Sequence, residues 1–68
     1  MTETSKKLGE NLKRIRVEKE ITQVQLASAL SVDKSFVSNI ENGKTNPTLS
    51  TITNLAESLG VTVGELLQ

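Results

Sequence analysis

Lys34, Ser35, Ser38 and Asn39 recur at the spacing of one helix face, and Val37 and Ile40 fall between them on the opposite face. Such a face carries hydrogen-bonding chemistry and no covalent chemistry. A lysine ammonium can donate to guanine O6 and N7, an asparagine carboxamide can pair with adenine N6 and N7, and serine hydroxyls serve either base. The chain has no histidine and no cysteine, so it lacks the commonest general base and the commonest structural zinc ligands. Tyrosine and tryptophan are absent too, and no pair of carboxylates has a spacing that suggests a shared site, which makes an enzyme the weakest class. Neither a metal nor a cofactor is expected.

A face of this kind reads nothing unless it is held rigidly, and the surrounding residues spell the elements that hold it. From Thr22 to Gly43 the chain runs TQVQLASALSVDKSFVSNIENG, two short helices joined by a turn too tight for them to lie parallel. That layout is a helix-turn-helix, and its second helix is a candidate reader of DNA bases. Four residues sit at N-cap positions, each followed by an apolar residue four places on: Thr22, Asp33, Thr48 and Thr62. Thr22 with Gln25 and Thr62 with Glu65 form capping boxes, and Ile21, Val32 and Val61 stand where a hydrophobic staple begins.

The 3.6-residue period places helix 1 over about 5–19 with Leu8, Leu12 and Ile15 inward. Leu26, Ala27 and Leu30 face inward from helix 2. Helix 4 covers about 48–59, burying Leu49, Ile52, Leu55, Ala56 and Leu59 until Gly60 stops it, and helix 5 is a short piece from Val63 to Leu67. No segment alternates with a period of two. The expected fold is all-α, one domain over residues 1–68, five helices around one core.

A core of 68 residues is marginal alone, so stability must come from helix packing, with a partner subunit as an optional further source. There is no long apolar run, and the N-terminal stretch MTETSKKLGENLK is polar, so a cytoplasmic protein without a membrane segment is expected. Net charge is zero, which weighs against a polyanionic partner, yet all 8 basic residues precede residue 45. The last 24 residues carry only Glu57 and Glu65 as charges, so the molecule is polarised.

The order TQxxLA, VSxIExG, NP, LAxxLGV and ELL, present here from Thr22 to Leu67, resembles the Cro/C1-type helix-turn-helix family, the phage-repressor-like domains of many small bacterial regulators. The likeness covers nearly the whole chain. The stretch around DKSFVSNIENG also resembles the controller proteins of restriction-modification systems. The resemblance implies a five-helix phage-repressor-like fold and a dimeric, sequence-specific regulator of double-stranded DNA that places helix 3 in the major groove of a pseudo-palindromic operator.

It also implies roles. Gln23 matches a glutamine that holds a phosphate from the start of helix 2, and Asn42, Lys44, Thr45 and Asn46 match the loop that grips the DNA backbone. Phe36 would lie at the rim, against a thymine methyl or sugar, with packing on helix 2 as the alternative. Arg16 and Glu41 match a structural ion pair that ties the reading helix to the scaffold, while Lys13 and Arg14 could reach phosphates from helix 1, with a solvated face as the favoured reading. Glu20 and Ser31 depart from the family, which has glycine at both places. A non-glycine residue with positive φ there costs on the order of 1 kcal/mol.

Specific binding by so small a module requires two copies about one helical turn apart, roughly 34 Å. Read as a complete chain, it has no separate oligomerisation domain, and the dimer surface is expected at Val63, Leu66 and Leu67, with Thr53 and Leu59 as flanks. For the leucines, and for Leu66 above all, capping the core is the competing role. Family activators present acidic groups on helix 2 to RNA polymerase; here Val24 and Ser28 stand outward, favouring repression, including autoregulation. No small-molecule ligand is indicated. The competing function is a helix-turn-helix adaptor or antitoxin that binds protein rather than DNA.

Overall fold

The computed structural model describes residues 3–68; Met1 and Thr2, the start of the polar N-terminal stretch, lie outside the described residues. Five helices follow in order: α1 (Glu3–Glu18), α2 (Gln23–Leu30), α3 (Lys34–Glu41), α4 (Leu49–Leu59) and α5 (Val63–Leu67). There is no strand among the described residues. Leu8, Leu12 and Ile15 of α1 meet Leu26, Ala27, Val37, Ile40, Ile52, Leu55, Ala56, Leu59 and Leu66 in one buried cluster. Ile21, Val32 and Val61 pack half-buried against it, as residues preceding the N-caps of α2, α3 and α5 should.

The caps explain where the helices begin. Thr22 Oγ1 accepts from the Gln25 N–H at 3.0 Å while Gln25 Oε1 accepts from the Thr22 N–H at 2.8 Å, closing a capping box. Thr48 and Thr62 accept from the N–H groups of Thr51 and Glu65. Asp33 occupies the N-cap of α3 with extended backbone, but its side chain makes no cap hydrogen bond, contrary to the sequence expectation. The exposed carboxylate leaves that end of α3 to solvent.

Three apolar expectations are corrected. Leu49 opens α4 and is 68% exposed, because the first turn overhangs a core that begins at Ile52. Leu66 is 0% exposed and Leu59 nearly so, both enclosed by their own core, so neither offers surface to a second copy. Val63 is half-buried and Leu67 exposed. Both non-glycine residues flagged as departures adopt the left-handed region: φ is 58° at Glu20 and 58° at Ser31.

Candidate nucleic-acid interface

α3 is eight residues long, and Val37, Ile40 and Glu41 form its inward face. Lys34, Ser35 and Asn39 are exposed on the other side, with Ser38 half-buried beside them. Asn42 caps the helix and its amide donates weakly to Ser38 Oγ at 3.4 Å, so these two polar groups lie side by side at the C-terminal end. Phe36, in the first turn of α3, is 39% exposed. Among the described residues, this face is left open to solvent.

The helix is locked from behind by one carboxylate. Arg16 Nε donates to Glu41 Oε2 at 2.6 Å and Nη2 donates to Oε1 at 3.2 Å, a forked pair, while Arg16 Nη1 donates to the Ile21 carbonyl at 2.7 Å. Gln23 Nε2 donates to the same Glu41 Oε1 at 2.8 Å. Glu41 thus joins the end of α1, the start of α2 and the end of α3. Its side chain is only 2% exposed, where forked, charge-assisted hydrogen bonds are strongest and removal of a partner is most costly. A carboxamide nitrogen carries two N–H groups, so Gln23 retains a second donor after serving Glu41.

Glycine makes the other lock. A Cβ built on Gly9 would lie 2.4 Å from the Ile40 carbonyl oxygen and 2.5 Å from that of Glu41. The backbone of α1 therefore touches the last turn of α3, a contact only hydrogen can fit. Beyond α3, Gly43 takes φ 71° and turns the chain into the loop that carries Lys44, Thr45 and Asn46, all exposed. Ser5 Oγ donates to Asn46 Oδ1, fastening this loop to the N-terminal turn of α1. The structure thus gathers Lys34, Ser35, Ser38, Asn39 and Asn42 along one helix, with Gln23 at one end of the scaffold and the Lys44 loop following α3; Val63 and Leu67 belong to α5.

The helix-turn-helix family model matches residues 12–66. The chain belongs to the Cro/C1-type helix-turn-helix family. The immunity repressor of Bacillus phage phi105 is 38% identical over 60 residues, which are 88% of this chain and 42% of that protein. The chain therefore spans less than half the length of that relative. The control protein C.MunI of a Mycoplasma species is 34% identical over 67 residues, 97% of this chain and 90% of that one. The crystal structure of the restriction-modification controller protein C.AhdI from Aeromonas hydrophila superposes with a TM-score of 0.86 at 34% identity, covering 91% of this chain and 94% of that one. Membership in a helix-turn-helix family agrees with the all-helical, five-helix architecture read from the sequence.

Two features of the family scaffold here escaped the sequence reading. Gly9 is the first: a glycine inside an amphipathic helix costs about 1 kcal/mol against alanine, which is itself a signal that packing demands it. The second is the bond from Gln23 to Glu41, whose residues are eighteen apart; no local pattern announces it.

Proposed function

We propose that this chain is a sequence-specific double-stranded-DNA-binding regulator that acts as a two-fold dimer, without enzymatic activity, in the cytoplasm. The observation that carries the reading is the pairing of an uncovered polar face on α3 with a rear face fixed by Glu41 and Gly9. A surface that merely needed solvation would not require its helix to be held at three points. Lys34, Ser35, Ser38 and Asn39 read base edges; Gln23, Phe36, Asn42, Lys44, Thr45 and Asn46 meet the backbone or the groove rim. Repression follows when the bound dimer occludes RNA polymerase, and the phage relative's name points the same way.

Dimerisation uses the apolar end remote in sequence from the basic residues. Leu67 and the half-buried Val63 are available on α5, and Leu49 with Thr53, one turn apart on α4, adds exposed surface. No helix among the described residues is long and apolar enough to cross a membrane. Selection of bound sites from a random duplex pool tests the proposal. Winners should be pseudo-palindromes with half-sites about 10 base pairs apart. Winners without symmetry reject the dimer, and duplex binding that does not weaken steeply with salt rejects the DNA reading in favour of a protein-binding adaptor.

A further inference from the structure

Helix α1 has two flanks, and its exposed cations divide between them. Successive residues turn about 100° around a helix. Leu8, Leu12 and Ile15 point into the core. On one side of that stripe lie Ser5, Gly9 and Arg16, which meet Asn46, the Ile40 and Glu41 carbonyls, and the Glu41 carboxylate respectively. This is the α3 flank. On the other side lies Asn11, whose amide donates to the carbonyls of Leu66 and Gln68 at 2.9 and 2.8 Å. This is the α5 flank.

Lys6 and Lys13 are exposed and seven residues apart, hence nearly in register two turns along the helix. They come next round the helix after the α3 flank, moving away from the core. Gly9 and Arg16 on that flank meet the last turn of α3, so Lys6 and Lys13 border the edge of α1 that packs on α3. Lys7 and Arg14 are likewise exposed and seven apart, but they lie past the α5 flank, and Arg14 is engaged with Glu18 at 3.3 Å. The Ser5 to Asn46 bond sets Lys6, adjacent to Ser5, beside the loop that carries Lys44.

We propose that Lys6 and Lys13 form a phosphodiester-binding ridge on α1, continuous with Lys44, making α1 a third element that grips the nucleic-acid backbone. The proposal rests on the DNA-binding reading above. It replaces the solvated-face expectation for Lys13 and leaves that expectation standing for Arg14. It also resolves how a chain of zero net charge can face a polyanion: cations on one side of α1 are placed toward the duplex, and the remainder are not.

The test compares two double variants of equal charge, Lys6→Gln with Lys13→Gln and Lys7→Gln with Arg14→Gln, by fluorescence anisotropy on a mixed-sequence DNA duplex at several salt concentrations. Each phosphate contact contributes about 0.9 to the slope of log affinity against log salt, so loss of both ridge lysines should lower the slope by about 1.8. Lys13→Gln alone should lower it by about 0.9, and the Lys7/Arg14 pair should leave it unchanged. Melting by far-ultraviolet circular dichroism checks that each variant is folded. Equal slope losses in the two doubles would overturn the ridge in favour of diffuse charge. An unchanged slope for the Lys6/Lys13 double, with steep salt dependence in the wild type, would overturn the ridge alone. Absence of salt-dependent binding by the wild type would overturn the DNA reading and the ridge with it.

Discussion

Gly9→Ala should destabilise this protein although alanine is the better helix former. The usual gain on replacing an interior helical glycine is about 0.5–1 kcal/mol. Against that gain, the added methyl would meet the Ile40 and Glu41 carbonyl oxygens at 2.4 and 2.5 Å. Carbon and oxygen normally approach to about 3.3 Å, so the α1 and α3 backbones must separate by nearly 1 Å. Both obstructing atoms are backbone, so no side chain can swing aside, and overpacking of this kind costs about 1–3 kcal/mol. The net loss should be about 1–2 kcal/mol, or a fall in Tm of roughly 5–15 °C for a domain this small. Gly64→Ala is the internal control, because its methyl would find only Thr62 Oγ1 at 3.7 Å, an ordinary contact. That variant should hold or raise Tm. Thermal and urea unfolding followed at 222 nm give both values. If the two substitutions move stability in the same direction, the close approach of α1 to α3 is not the reason for glycine at position 9. DNA affinity should fall with Gly9→Ala even where the protein remains folded, since α3 is the element displaced.

Ser31→Gly and Glu20→Gly should each raise Tm by a few degrees, because the relief of a left-handed backbone, about 1 kcal/mol or more, outweighs the extra freedom of glycine in the unfolded chain. Operator preference, measured on the same selected duplex, should not change. Glu41→Ala leaves the half-buried Arg16 guanidinium without its carboxylate and should cost about 3–5 kcal/mol. A core this small rarely supplies more than about 3–5 kcal/mol, so the variant should be largely unfolded at 25 °C, and a cooperative native-like melt would refute the role given to the pair. Lys34→Ala and Asn39→Ala should leave urea midpoints nearly unchanged while each relaxes discrimination at one operator position by about 1–3 kcal/mol. Uniform weakening across all duplex sequences would instead make them backbone contacts.

The elements were legible in the sequence because their signals are local. Thr22 and Gln25 are three residues apart and bond each other directly, and Gly60 stops α4 by its own backbone conformation. What was misread depends on where an element ends relative to the others. Leu49 has the right helical phase for the core but lies beyond it, and Leu66 looks like a surface leucine of a short terminal helix until α1 and α4 are placed around it. The positive φ at Ser31 was anticipated from a missing glycine, whereas the need for Gly9 arises from carbonyls more than thirty residues away. Of the interface, the polar face of α3 could be read from alternation with Val37 and Ile40. The wiring behind it could not, because Gln23, Arg16 and Glu41 come from three separate helices.

The separation of front and back on α3 has an evolutionary consequence. The side chains of Lys34, Ser35 and Asn39 are exposed, and substitutions at such positions usually change stability by less than about 0.5 kcal/mol. Gly9, Arg16 and Glu41 hold α3 in position from behind. On the proposed DNA-binding reading, a descendant of this protein is re-addressed to a different operator by changing a few surface residues, with no compensating repair inside, and duplicated copies in one cell can drift to separate addresses while keeping the same skeleton.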